Sequence, residues 1–210
     1  MAERRQMTQD RIVRFGDFVF RHRDTLPVPF IIITVLVLAF TKPTFSAGDA
    51  RLLLFIIGVM VILGGEAIRI WAVGYSGGTT RSKKLIADKL VMEGPYSLIR
   101  NPLYAGNFLI ALGFSLLANA AVLVPLVIIY FIIEYYPIVR REEYFLLEKF
   151  GESYNQYLAD VPRFFPKRLT TKKAVYDPSA LKGERWTMLG IVSMLVVMVI
   201  IDIVRIKFLL

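Results

Sequence analysis

The chain has 210 residues, 56% of them hydrophobic, a mean hydropathy of +0.55 and a formal net charge of +9. That is long enough for one domain and too apolar for a soluble globule, so an integral membrane protein is expected. The absence of cysteine excludes disulfides and thiolate metal sites. The basic residues lie between apolar segments rather than along one polar face, which favours anionic lipid headgroups over nucleic acid as their partner.

In chain order, the first 26 residues are charged, and the apolar run after them is not followed by a small-residue cleavage pattern, so no cleavable signal peptide is expected. His22 stands alone between Arg21 and Arg23 and is expected to be solvated, with no metal site around it. Five apolar runs follow: Leu26 to Thr41, Leu52 to Val73, Leu103 to Leu117, Ala120 to Val139 and Thr187 to Val204. Lipid-exposed backbone must satisfy its own hydrogen bonds, so the expected fold is all-α, a polytopic membrane bundle of about five transmembrane helices.

Pro27 and Pro29 open the first helix, where a missing N–H costs little. The second run contains Glu66 and Arg69, three residues apart and therefore on one helix face. Each is costly at the bilayer centre, about 2.5–3.5 kcal/mol, so they are expected to pair and to face the bundle, as an interfacial ion pair or as the wall of a ligand cavity. The third and fourth runs together would make a helix of about 37 residues and roughly 55 Å, longer than a hydrocarbon core of about 30 Å. They must fold back, and Asn119, the polar residue between them, is the expected turn. The fourth helix carries Glu134, Tyr135 and Tyr136, is expected to kink near Pro137, and should continue through Phe150 to a stop at Gly151.

Between the second and third runs lies Gly94 to Asn107, GPYSLIRNPLYAGN, which sets two glycines, two prolines, two tyrosines and an arginine directly against an apolar helix. A bare membrane anchor has no use for such a stretch. Beyond Pro137 come Arg140, Arg141, Glu142 and Glu143; successive helical residues are about 100° apart, so only one of the two glutamates can point fully into a site. Residues 167–186, rich in charge, are expected to form a linker before a C-terminal helix over 187–204.

Lys and Arg number six up to residue 26, five from Tyr75 to Pro102 and ten from Arg140 to Trp186, against four near Lys42 to Arg51 and after Val204. The N-terminus and both large loops are therefore expected to be cytosolic.

Taken in order, Arg69 and Trp71, then LVMEGPYSLIRNPLYAGN from Leu90 to Asn107, then Glu142, Glu143, Leu146, Phe150, Gly151, Tyr154, Tyr157, Pro162 and Pro166, resemble the membrane-embedded methyltransferases that include isoprenylcysteine carboxyl methyltransferase and the phospholipid methyltransferases. The resemblance runs from about residue 58 to 166. It implies a methyltransferase core over 76–166, preceded by a first helical hairpin within 1–75. It also implies S-adenosylmethionine as cofactor, bound from the cytosol, and a lipophilic, prenylated or phospholipid-like acceptor reached through the bilayer, here in a prokaryotic inner membrane.

By the same resemblance Gly94, Pro95 and Tyr96 shape the cofactor loop, Arg100, Asn101, Pro102 and Tyr104 lie beside the cofactor, and Glu142 and Glu143 are the family's acidic pair. Arg100 suits the cofactor's carboxylate, and the tyrosine faces suit its adenine or sulfonium. Glu142 or Glu143 is the candidate base for an ammonium acceptor, and Arg163 a candidate holder of an anionic acceptor group. Where many relatives carry histidine this chain has Asn101, which hydrogen-bonds but does not titrate near neutral pH, so no proton-transfer role is expected there. The competing expectations are a nicotinamide-dependent enzyme like the sterol reductases, whose C-terminal part has a similar Arg, Pro and Tyr arrangement, and a non-catalytic lipid-binding membrane protein.

Overall fold

The computed structural model describes residues 13–23, 25–45, 48–76, 87–172 and 175–209. The basic residues at 4, 5, 11, 81, 83, 84 and 173, which enter the orientation count, lie outside them. Described in chain order, the helices are α1 (Val13–His22), α2 (Pro27–Phe40), α3 (Asp49–Ser76), α4 (Pro102–Leu117), α5 (Leu123–Phe150), α6 (Glu152–Asp160) and α7 (Arg185–Leu209), with short 3-10 turns at Gly94–Ser97 and Pro178–Gly183.

Three of them, α3, α5 and α7, are long and apolar enough to cross a membrane. At 28 residues, α3 and α5 extend about 42 Å each, so their ends reach past a hydrocarbon core of about 30 Å. Helices α2 and α4 are apolar but shorter, at 14 and 16 residues. Helix α1 was not expected from the charged N-terminal segment; it meets α2 at a bend of 70°, and the two together form one broken apolar element. Its His22 is exposed, and Nδ1 bonds the Phe18 carbonyl at 2.8 Å.

The α3–α4 pair is set by glycine spacing. Gly58 and Gly65 on α3 face Gly113 and Gly106 on α4, each pair seven residues apart along its own helix. A Cβ on Gly65 would lie 2.7 Å from the Gly106 carbonyl oxygen, and one on Gly113 would lie 2.7 Å from that of Gly58. Backbones in such contact leave no room for any side chain at the crossing points, and the same small-residue logic packs helices in lipid, where apolar burial alone does not drive association.

Asn119 forms the α4–α5 turn as expected, with a positive φ of 49°. Its side chain accepts from Phe45 N–H (3.1 Å) and donates to the Phe45 carbonyl (2.7 Å), which pins the turn to the α2–α3 loop. At this same end Arg205 of α7, buried, donates to the Thr41 carbonyl (2.9 Å) and the Ala118 carbonyl (2.6 Å), the C-terminal residues of α2 and α4. A cation there satisfies orphaned carbonyls and opposes two helix dipoles. Helix α5 continues through Pro137 and ends at Gly151 (φ +53°), whose N–H donates to the Leu147 carbonyl. Helix α1 rests on α5 at the proline: Gly16 lies against the Pro137 carbonyl, where a Cβ would meet the oxygen at 2.5 Å, and Asp17 holds Arg141 at 2.6 Å.

Residues 167–184 are tied to the opposite end of the bundle. Gly94 N–H donates to the Lys172 carbonyl (2.9 Å), Lys172 N–H to Ser97 Oγ (3.0 Å), and Asp177 N–H to the Gly74 carbonyl (2.8 Å).

Candidate functional site

At that end a cavity of about 670 Å³ opens between α1, α3, α4, α5, α6 and the start of α7, inside the range of about 300–1,000 Å³ common for small-molecule sites. Of the residues singled out in the sequence, Tyr96, Arg100, Asn101, Pro102, Tyr104, Glu142 and Glu143 line it. Gly94 and Pro95 do not; they are buried behind it and shape the turn. Gly94 has φ +56°, and a Cβ there would meet the Tyr75 ring at 2.6 Å, so glycine is required for both backbone and space. The turn is held from below by Tyr157, whose hydroxyl donates to the Tyr96 carbonyl at 2.7 Å. Burial pushes the Tyr96 hydroxyl up to about 12, so it stays neutral.

The two glutamates diverge, as a 100° step requires. Glu142 accepts from the Tyr104 hydroxyl at 2.5 Å on the cavity wall. Glu143 is clamped: Arg163 binds it through Nε (2.8 Å) and Nη2 (2.6 Å), and Arg100 Nη2 reaches Oε1 at 2.9 Å. Arg100 Nη1 donates to the Leu158 carbonyl (3.0 Å) and also to that of Val161. Both terminal nitrogens of Arg100 are thus spent on protein groups, and Arg163 lies outside the cavity lining, fixed to Glu143. The bond to Glu143 keeps the Arg163 guanidinium charged, its pKa raised. Arg100, Arg163 and Glu143 form a three-residue ion cluster that ties α5 to the loop after α6, while Arg100 still lines the cavity with its Nε buried and without a partner.

Asn101 ends the turn before α4. Its N–H donates to the Arg163 carbonyl (3.2 Å) and its carbonyl accepts from Ala105, but its side-chain Nδ2 is buried with no partner. An unmet buried donor costs about 1–3 kcal/mol, and this one belongs to a residue on the cavity wall.

Sequence reasoning placed other cavity residues elsewhere or passed over them. Arg69 pairs with Glu66 (3.6 Å), as its spacing predicts, but also holds Glu184 (2.8 Å), Thr187 (3.3 Å) and Asn107. The segment expected to be a linker therefore supplies, through buried Glu184, part of the cavity wall. Tyr135 lines the cavity with Asn107 on its hydroxyl (3.2 Å), while Tyr136 is exposed on the other face. Glu134, seven residues before Arg141, does not meet it; Glu134 lines the cavity and Arg141 is turned to Asp17. Phe20 and Arg23, at the end of α1, also line it. The charge of Glu184, one of two acids in a mainly basic stretch, was the available signal. Among the described residues no group of three or more His, Cys, Asp or Glu side chains is placed to hold a metal ion.

A polytopic helical membrane protein with a polar cavity at one end of the bundle is the class that this geometry defines. Residues 53–153 match the family model described as phospholipid methyltransferase, just under half of the chain. The chain is 26% identical to a nickel-cobalt-cadmium resistance protein of Alcaligenes xylosoxydans xylosoxydans, over 71% of its own length and 67% of that protein's. It is 28% identical to a cobalt-zinc-cadmium resistance protein of Cupriavidus metallidurans, over 72% and 67%. To the protein-S-isoprenylcysteine O-methyltransferase of Xenopus laevis it is 31% identical, over 54% of this chain and 41% of that one. No solved structure matches it. The family match and the amphibian relative make the central part of the chain similar to the phospholipid methyltransferase family, in agreement with the resemblance to membrane methyltransferases read from the sequence.

Proposed function

We propose that the cavity binds S-adenosylmethionine from the cytosolic side and that the chain moves its methyl group to a lipophilic acceptor, prenylated or phospholipid-like, entering from the bilayer. The single observation that carries the donor assignment is the orphaned Asn101 amide on a wall that also presents Glu142. A buried N–H donor and a carboxylate in one cavity suit a ligand that carries a carboxylate and an ammonium on the same carbon. Bound there, S-adenosylmethionine supplies a methyl group made electrophilic by its sulfonium sulfur.

In this reading Asn101 Nδ2 holds the carboxylate end and Glu142 the ammonium, with Tyr104 fixing the orientation of Glu142 through its hydroxyl. The rings of Tyr96 and Tyr104 offer faces to the adenine or the cation. Arg100 and Arg163 act through Glu143, locking α5 against the loop that follows α6, so that the wall carrying Glu142 is rigid before anything binds. Gly94 and Pro95 shape the turn that presents Tyr96 and Asn101. Glu143 is held by two cations, which leaves Glu142 as the carboxylate of the pair available to the ammonium of the methyl donor. The N-terminus and large loops are assigned to the cytosol on the distribution of Lys and Arg. A prokaryotic inner membrane is supported by the two relatives from Alcaligenes and Cupriavidus.

Transfer of labelled methyl from S-adenosylmethionine into a total lipid extract, resolved by mass spectrometry, tests this reading. Membranes containing the wild-type chain are expected to label at least one lipid class, and Glu142→Gln to reduce that label tenfold or more. Labelling no higher than in membranes lacking the chain would contradict the proposal.

A further inference from the structure

The loop after α6 is built like a membrane-surface segment and is also part of the cavity frame. Two of its side chains point opposite ways along α5: Arg163 to Glu143 (2.6 Å), and Phe164 to Phe131, whose ring centroid lies 6.2 Å away. Glu143 belongs to the charged end of α5 and Phe131 to its apolar stretch, so the loop backbone between them is level with Pro137, where that stretch gives way to Arg140 and Arg141. That is the level at which a membrane helix leaves hydrocarbon for headgroups.

The residues that follow suit that level. Phe165 and Leu169 are 86% and 84% exposed, and Lys167 and Arg168 between them are exposed too, in a stretch without helix or strand. From Val161 to Tyr176 the chain carries five Lys and Arg and no acid. Large apolar side chains left open beside cations suit neither plain water nor a purely apolar partner. They suit an anionic lipid surface, which takes the apolar groups between its headgroups and the cations at its phosphates.

Both ends of the stretch are fastened to the turn that lines the cavity. At its start the Pro162 carbonyl accepts from Arg100 N–H (2.8 Å) and the Arg163 carbonyl from Asn101 N–H (3.2 Å); at its end Lys172 is bonded to Gly94 and Ser97. Whatever fixes this stretch therefore also fixes the backbone of Arg100 and Asn101, two residues of the cavity wall.

We propose that the stretch from Phe165 to Leu169 is a regulatory lipid surface: anionic lipid of the adjoining leaflet holds it and through it tightens the cavity, so that affinity for the methyl donor depends on the charge of the membrane. The proposal rests on the methyltransferase reading above for the identity of the donor, and goes beyond it in naming a second ligand class at a second site. A lipid that orders the stretch removes part of the ordering cost that the cavity ligand otherwise meets, and the coupling is reciprocal.

The test titrates the full chain in nanodiscs with S-adenosylhomocysteine, which has no net charge at neutral pH and so is not concentrated by the membrane's own potential. One set of discs holds dioleoylphosphatidylcholine alone, the other equal parts of it and dioleoylphosphatidylglycerol. The wild type is expected to bind about fivefold or more tightly in the anionic discs, and the gain to shrink as salt is raised. The double variant Lys167→Gln, Arg168→Gln is expected to keep the affinity seen in neutral discs and to lose the gain. Equal wild-type affinity in the two discs, or a full gain in the double variant, overturns the proposal. Lipid contact is read separately from Phe165→Trp, whose added fluorescence is expected to be quenched by brominated phosphatidylglycerol; an unquenched signal overturns the proposal as well. Quenching in a chain that binds S-adenosylhomocysteine in neither disc would count against the methyltransferase reading and leave the lipid surface standing.

Discussion

Glu143→Ala is expected to unfold the site end of the molecule and abolish methyl transfer. The carboxylate is buried at 8% exposure and satisfies two guanidinium groups at once, Arg163 through two hydrogen bonds and Arg100 through one. Its removal leaves both cations without their counter-charge, and Arg100 is buried nearly as deeply as the glutamate. Breaking a buried ion pair by deleting one partner costs about 3–5 kcal/mol, because the charge left behind keeps its desolvation penalty. Arg163→Ala is expected to cost much less, since Glu143 keeps Arg100 and Arg163 is one-third exposed. A melting curve in detergent checks the order: Glu143→Ala lowest, Arg163→Ala intermediate, wild type highest. Equal melting temperatures for the two variants would show that the cluster is not organised around the glutamate.

Gly65→Ala is the second change expected to be severe, and its neighbour Gly64→Ala provides the contrast. A Cβ at position 65 meets the Gly106 carbonyl oxygen at 2.7 Å and the Ile110 backbone nitrogen at 3.0 Å. Backbone cannot swing aside, so α3 and α4 must separate, at a cost of about 1–3 kcal/mol. Position 64 has nothing within 4 Å, and there alanine is expected to be neutral or to stabilise the helix by about 0.5–1 kcal/mol. The separation also reaches the site, because Arg69 lies against Gly106 and holds Asn107, Glu184 and Thr187. Gly65→Ala should therefore lower both the melting temperature and affinity for S-adenosylhomocysteine, while Gly64→Ala lowers neither.

The bundle was readable in the sequence because membrane helices announce themselves by length and apolarity, and the Asn119 turn because two adjacent runs are too long for one crossing. Helix α1 was not readable: its ten residues mix charge with Phe15, Phe18, Val19 and Phe20, and only contact with Pro137 and Asp17's bond to Arg141 explain it. The loop from Gly94 and the glutamate pair were visible as unusual chemistry, and the divergence of Glu142 from Glu143 follows from helix geometry alone. What could not be read was which arginine meets which glutamate. Arg100 and Glu143 are 43 residues apart, and their pairing is decided by where α6 returns the chain. Glu184 was hidden for the opposite reason, because one acid among many charges looks solvated until Arg69 is seen beside it. The glycine register of α3 and α4 was legible in principle, as two pairs spaced by seven.

Calorimetric titration of the detergent-solubilised chain with S-adenosylhomocysteine, with NADPH as the comparison ligand, tests most directly whether the cavity is a methyl-donor site. One-site binding of S-adenosylhomocysteine, weakened at least tenfold by Asn101→Ala, with no heat from NADPH, is the predicted result. Binding of NADPH by a wild type that ignores S-adenosylhomocysteine would contradict it.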